Sequence, residues 1–404
     1  ILTKSMSRLY NLYKNNYCGG KLMAQEPLRF NKDGKFKIML LGDIHDYYDM
    51  KSDNAEAKMD DTLSMITKAV NELKPDLVVY LGDNARAATE SQMRSVISRI
   101  TYPVSVNDTP FDLVFGNHDR ECDVPLKTQL KLYREHENCY AFNADDGISG
   151  YGNHNVIIKS SDGEKDMFNL WFIDSQNRYE DESRSYYDVV HEDQLEWYKK
   201  TAKELAEKNG GKVIPSLVFQ HIPVPEEYEL LREAKTYERL DSVQGHKTYG
   251  DKYYILKPEV EGYLGEGPAV PDFNGGEFAA WKETGDVLGA FFGHDHMNDF
   301  VGYVDGIMLG QCKTASFRVY TDGCRPGVRM ITLEENNIEN VQTKMYHFKD
   351  FGLKSKSLDP YMRHVTDRQD MKLKVYGAAL GTVAAVTAAA VAVNKVSKKV
   401  KKSK

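Results

Sequence analysis

Cysteine is scarce in this chain. Five occur among 404 residues, at Cys18, Cys122, Cys139, Cys312 and Cys324. The number is odd and no two form a C-x-x-C pair, which argues against a zinc-thiolate site or a dense disulfide framework and for ordinary buried or free thiols. Positive charge is also short: the net charge is −7, which disfavours non-specific binding of nucleic acid by the whole molecule. No internal repeat is present. No signal peptide stands at the start, but the sequence opens on Ile1 rather than methionine, so its absence fixes no compartment. What the chain does have is a composition 41% hydrophobic, enough for a substantial core in one large domain or two ordinary ones.

The average charge hides an asymmetry. Residues 371–404 carry eight lysines and no acidic residue, so the remainder carries −15. Within that tail, "VYGAALGTVAAVTAAAVAVN" (375–394) runs 20 residues without a charge, long enough to cross a bilayer as a helix, although its Ala and Gly content makes the apolar drive marginal. The stretch 395–404 then holds six lysines in ten residues, a pattern that favours anionic lipid. The expectation is association with a membrane through 375–394, on a side the sequence does not fix. A soluble Ala-rich helix with a solvated basic end is the competing reading.

Residues 1–34 are polar and aromatic without a clear period and read as an N-terminal extension. From 35 to 351 the pattern is strand, loop, helix, repeated. Apolar runs of strand length stand at "FKIMLL", "DLVVYL", "FDLVF", "NLWFI", "SLVFQ" and "VLGAFF". Most are too continuous for half-exposed strands, so the spacing predicts strands buried on both faces. Helical patterns lie between them at "AEAKMDDTLSMITKAVNELK", "TESQMRSVISRI" and "EDQLEWYKKTAKELAEK", the last stopped by Gly210-Gly211. The alternation predicts an α/β domain. "VRMITLEE" and "VQTKMYHF" predict a closing antiparallel hairpin. Residues 222–283 are rich in Tyr, Glu, Pro and Gly with weak periodicity, and read as an insertion of loops and short helices near the substrate pocket. Residues 352–374 read as a linker.

The strand ends carry the chemistry. The runs finish in "GDIHD" (Gly42 to Asp46), "GDN" (Gly82 to Asn84), "GNHD" (Gly116 to Asp119), "QHIP" with His221, and "GHDH" (Gly293 to His296). Glycine lets the backbone turn and leaves room for a ligand. In D-x-H and H-x-H, extended chain points both side chains the same way, so each pair can meet one ion. Any one of these motifs is ordinary: a lone Gly-Asp is most often a turn, and a lone histidine is usually structural. Five in order, each at a strand end, predict a site at the carboxyl edge of a sheet. Three carboxylate or amide oxygens with four imidazoles suit two ions such as Fe, Mn or Zn, whereas calcium takes more oxygens. A shared carboxylate would hold them about 3.5–4 Å apart.

These motifs, in this order, resemble the calcineurin-like metallophosphoesterase superfamily over roughly residues 36–348. "ETGDVLGAFFGHDHMNDF" is similar to a branch of plant purple-acid-phosphatase-like proteins and related fungal and bacterial phosphatases. The resemblance implies a four-layer αββα sandwich of two packed mixed sheets. It implies that Asp43, His45 and His296 bind one metal, that Asn117, His221 and His294 bind the second, and that Asp83 bridges both. A hydroxide between the ions would be the nucleophile, and His118 would contact the phosphate or protonate the leaving oxygen, with Asp119 orienting it. The purple enzymes place a tyrosinate three residues after the bridging aspartate. Arg86 stands there in this chain, so no tyrosinate-to-iron colour is expected, and Arg86 would contact substrate phosphate or stay a solvated surface side chain.

Asp46, Asn298 and Asp299 are candidates to support metal-bound imidazoles. His191 reads as a helix start, and His136, His154, His246, His347 and His364 as structural. Asn107 opens a glycosylation sequon that matters only on a eukaryotic secretory route. The function expected is a metal-dependent phosphatase acting on phosphomonoesters. The alternatives are a phosphodiesterase for cyclic nucleotides or phospholipid headgroups, and an inactive membrane-tethered scaffold. A phosphate ester is the expected partner, and no nucleic acid is.

Overall fold

A computed structural model describes residues 25–360 except Ser52, with scattered positions between 362 and 382. The strands are β1 (Leu28–Arg29), β2 (Lys35–Leu41), β3 (Leu77–Leu81), β4 (Phe111–Val114), β5 (His154–Lys159), β6 (Asp166–Phe172), β7 (Ser216–Gln220), β8 (Val287–Phe292), β9 (Val301–Val304), β10 (Ile307–Gln311), β11 (Gly327–Glu334) and β12 (Gln342–His347). They form a five-stranded sheet, ordered β12-β11-β2-β3-β4, and a seven-stranded sheet, ordered β1-β5-β6-β7-β8-β10-β9. Strands β2, β3 and β4 run parallel, as do β6, β7, β8 and β10, so their carboxyl ends gather on one edge.

The continuous apolar runs pack on both faces. Along β2, Met39 and Leu41 join a cluster with Met65, Ile66, Val96 and Ile97 of the helices α1 (Ala55–Leu73) and α2 (Glu90–Ser105). Ile38 and Leu40, the alternate residues, pack with Phe168, Leu170 and Phe219 between the two sheets. On the far side, Trp171, Val218 and Phe292 meet Tyr198, Phe278 and Trp281, the last three on α4 (Glu192–Lys208) and α5 (Glu277–Thr284). The result is helix, sheet, sheet, helix. Helix α2 is capped by Thr89 Oγ1, which accepts from Gln92 N at 3.3 Å. It passes the expected end at Ile100 and runs on to Ser105 with Pro103 inside it. The hairpin of β11 and β12 is antiparallel and adds to β2. The four described cysteines are free.

Three boundaries differ from the sequence reading. Residues 28–30, placed with the extension, belong to the fold: Leu28 and Arg29 pair with Ile158 and Lys159, and Phe30 is buried between the sheets. The start of the linker is docked, because Asp61 accepts from the amides of Lys356 and Ser357 and from the Ser355 hydroxyl. The insertion contains a three-stranded antiparallel sheet of Leu231–Glu233, Tyr253–Leu256 and Val243–Gln244, strands too short to give a readable period. Its last residues belong to α5 and hence to the outer helix layer. Most of 375–394, and all of 395–404, lie outside the described residues. No helix among the described residues is long and apolar enough to cross a membrane.

Candidate metal centre

Five strand ends converge. Asp43 and His45 follow β2, Asp83 follows β3, Asn117 opens the short helix α3 (Asn117–Arg120) after β4, His221 follows β7, and His294 and His296 follow β8. Asp43, His45 and His296 bring donor atoms within 4.8 Å of one another, and so do Asp83, His221 and His294. Asp83 stands between the groups: its Oδ2 is 3.3 Å from His45 Nε2 and 3.2 Å from His221 Nε2. Asn117 Oδ1 lies 3.1 Å from His221 Nε2, and His294 Nδ1 lies 3.2 Å from that same nitrogen. Asp43 Oδ1 is 3.6 Å from His296 Nε2. The structure thus brings together all seven side chains singled out as ligands.

The backbone is bent to do this. Asp43, His45, Asp83 and His294 all have positive φ, at 51°, 46°, 51° and 73°. Non-glycine residues in that region are strained, and they persist where the surroundings over-determine them. Gly116 is needed for close approach, since a Cβ there would lie 2.3 Å from Asp83 Oδ1. Gly293 is needed for the same reason rather than for its turn: a Cβ would lie 2.7 Å from the Leu81 carbonyl oxygen.

The electrostatics suit cations. Burial pushes His294 and His296 well below the ordinary histidine value, with the His221 charge adding to the effect at His294 and the His45 charge at His296, so both favour the neutral, metal-ligating form. Burial raises the Asp43 carboxyl well above its ordinary value, and the charge on His221 offsets only part of this. Burial would raise Asp83 too, but His221 and His45 outweigh it and hold that carboxylate well below the usual range. His221 is itself lifted to about 10, because Asp83 overcomes the effect of burial. Asp83 and His221 therefore form an ion pair with Asp43 an unrelieved acid beside them, an arrangement that divalent charge would relieve. His45 Nε2, buried in the cluster, has no hydrogen-bond partner among the described residues. The donor set and this orphan nitrogen fit a pair of mid-sized cations.

The supporting contacts differ from those expected. His221 Nδ1 donates to the Leu81 carbonyl at 2.7 Å, and His45 Nδ1 meets the Tyr47 hydroxyl at 3.2 Å. Asp46 instead pairs with Arg99 at 2.6 Å. Asn298 accepts from the amides of Gly265 and Glu266 and donates to Asp295, which in turn accepts from Ala269 N. Asp295 and Asn298 thus fasten the insertion rather than a metal-facing ring. Asp299 binds Arg325 at 2.8 Å and His347 at 3.1 Å. Burial opposes its charge, but His347, Lys313 and Arg325 win and lower it to about 2.

His118 stands at the mouth, 40% exposed, with its ring 5.3 Å from that of His45. The expectation that Asp119 orients it is not met. Asp119 is buried and accepts from the amides of Asn84, Ala85 and Gly116, so it ties the loops after β3 and β4 together. Glu121 does contact the ring, its Oε2 lying 2.6 Å from His118 Nδ1. The i, i+3 spacing of His118 and Glu121 on one helical turn was a signal that could have found it. Arg86 is exposed on a two-residue strand paired with Asp46 and Tyr47. Tyr187 packs edge-on against His294 at 4.5 Å, and Tyr320 lies tilted against His296 at 4.2 Å. No local pattern marks these two tyrosines. His191 starts α4 as expected, and His154 is buried on Asp112 at 3.0 Å and stacked on Phe172.

The calcineurin-like phosphoesterase family model matches residues 36–298, and the chain belongs to that family. It is a hydrolase of phosphoric esters. Among curated relatives, the "probable inactive purple acid phosphatase 14" of Arabidopsis thaliana is 28% identical over 78% of this chain and 79% of its own length. Phosphatase DCR2 of Saccharomyces cerevisiae is 27% identical over 68% of this chain and 46% of its own length. Among solved structures, the calcineurin-like phosphoesterase YfkN of Bacillus subtilis aligns with a TM-score of 0.38 at 12% identity, covering 78% of this chain and 91% of that one.

Proposed function

We propose that this protein is a phosphomonoesterase working with two metal ions, Fe, Mn or Zn. Asp43, His45 and His296 would hold one ion, Asn117, His221 and His294 would hold the other, and Asp83, between the two groups, would serve both. The observation that carries this reading is the position of Asp83 Oδ2, within 3.3 Å of a ring nitrogen from each group. When bound, the ions supply an acidified water and positive charge for the phosphoryl oxygens.

The chain's own residues supply the rest. His118 lies beside the cluster with Glu121 on its Nδ1. That contact fixes the tautomer and leaves Nε2 to contact the phosphate or carry a proton to the leaving oxygen. Arg86, exposed nearby, offers a planar donor for substrate phosphate. The name of the Arabidopsis relative includes the word inactive, but this chain has all seven ligand positions together with His118, which favours catalysis over a scaffold role.

The test is metal content on one preparation assayed with p-nitrophenyl phosphate and with bis-p-nitrophenyl phosphate. Two metals per chain and faster monoester cleavage are expected. Faster diester cleavage would promote a phosphodiesterase, and no metal with no activity after reconstitution would leave the scaffold. We also propose that residues 375–404 associate with membranes, on the strength of the uncharged run and its six following lysines. Flotation with anionic vesicles should require that segment, and unchanged flotation after its removal would end the idea.

A further inference from the structure

Tyr320 lies in the loop between β10 and β11 and is 56% exposed. It is not loose. Its hydroxyl donates to Glu266 Oε2 at 2.9 Å. Glu266 Oε1 accepts from the Met297 amide at 2.8 Å, and the Glu266 amide donates to Asn298 Oδ1 at 3.1 Å. Met297 and Asn298 follow the H-x-H pair directly. The phenol is thus tied at its tip to the chain that carries His294 and His296, and its ring centre lies 4.2 Å from that of His296. An exposed ring is held in one place at the edge of the cluster.

Its counterpart is Tyr187, half-buried in the loop between β6 and α4, edge-on to His294 at 4.5 Å and stacked on His246 at 5.8 Å. Each member of the H-x-H pair therefore carries a tyrosine ring. Arg178, which reaches Glu121 beside His118, is already paired: its Nε is 3.7 Å from Glu121 and its Nη1 is 3.8 Å from Glu182. The Arg318 side chain is 2% exposed. The surface next to the H-x-H pair is aromatic, and it suits an uncharged planar group better than a second anion. Aromatic pairs gain from offset-stacked or edge-to-face contact beyond the area they bury. A ring that is already immobilised loses little entropy when a ligand stacks on it.

We propose that Tyr320 is a specificity-determining residue whose ring stacks on an aromatic leaving group, so that aryl phosphates, in which the ring sits directly on the ester oxygen as in phosphotyrosine, are bound in preference to alkyl phosphates. The 4.2 Å approach of Tyr320 to a ligand imidazole favours that short reach over a nucleobase held beyond a ribose. The substrate class rests on the phosphatase reading; the stacking does not.

The test uses the full chain with its metals bound. Calorimetry compares benzylphosphonate with ethylphosphonate, analogues in which carbon replaces the ester oxygen and nothing is hydrolysed. KM is measured for phosphotyrosine against phosphoserine, and for adenosine 5′-monophosphate against ribose 5-phosphate. Wild type should favour the benzyl and tyrosyl ligands, and Tyr320→Leu should reduce that preference by roughly 2–10-fold, the worth of one aromatic pair. Tyr320→Phe keeps the ring and should keep most of the preference. Tyr303→Leu is the control, because Tyr303 is 65% exposed on β9, and it should behave as wild type does. Equal binding of the two phosphonates by wild type, an unchanged preference in Tyr320→Leu, or a loss confined to adenosine 5′-monophosphate would each overturn the assignment. Loss of metal in Tyr320→Leu would make the ring a shield for His296 and overturn it too. If no ester is cleaved, the phosphatase reading fails, while the phosphonates still decide this one.

Discussion

Gln220 and His221 are consecutive residues at the end of one strand, and they face two regions of opposite character. His221 turns to the strand-end cluster, where imidazoles outnumber oxygens. Gln220 turns to the root of the insertion, where its Nε2 donates to the Ile222 carbonyl and to Glu277 Oε2. Alternation along β7 separates them. The cluster is assembled from motifs of three to five residues at strand ends, with positive φ at Asp43, His45, Asp83 and His294. The root of the insertion is held by single residues that no motif links. Local sequence can therefore specify a metal centre when a sheet edge does the gathering, but not a contact that a loop makes by folding back.

Substitutions at the cluster should have the largest effect. Asp83→Asn should remove both metals and lower kcat about 10³-fold, the upper end for losing one electrostatic stabiliser; elemental analysis and p-nitrophenyl phosphate turnover check this. Loss of one metal only would mean that Asp83 belongs to one group. His296→Ala should lower metal content and nearly abolish hydrolysis with the melting transition still cooperative.

The next effect is at the mouth. His118→Ala should keep both metals and slow an alkyl phosphate by about 10²–10⁴-fold, while an aryl phosphate with a good leaving group loses less. Equal losses on both substrates would assign His118 to phosphate binding rather than proton transfer. Glu121→Gln should reproduce the same leaving-group dependence more weakly.

The smallest effect is a pH dependence away from both. Asp299 has its pKa lowered from 3.8 to about 2 by its cationic neighbours. A depressed acid contributes stability that is whole above the unfolded value and is lost as pH falls through the folded one. Acid titration of stability should show a loss on the order of 2 kcal/mol between those values, and Asp299→Asn should flatten it.

The strands and the ligands were legible because their signals are local. Continuous apolar runs require burial on both faces, and residues at the end of a parallel strand have nowhere to go but the sheet edge. That places the motifs holding Asp43, His45, Asp83, Asn117, His221, His294 and His296 at one edge; which residues of each motif turn inward was implied by the family resemblance. Glu121 was legible in principle from helical spacing. Tyr187 and Tyr320 were not, because each packs on a histidine distant from it in sequence and no local spacing signals the contact. Asp119, Asn298 and Asp299 sit inside motifs yet turn their side chains to backbone amides, to the insertion and to a cation cluster. Periodicity and spacing decide what is buried and which strand ends meet. The partner of a polar side chain is decided only by distances across the folded chain, since a hydrogen bond is lost over less than one ångström of displacement.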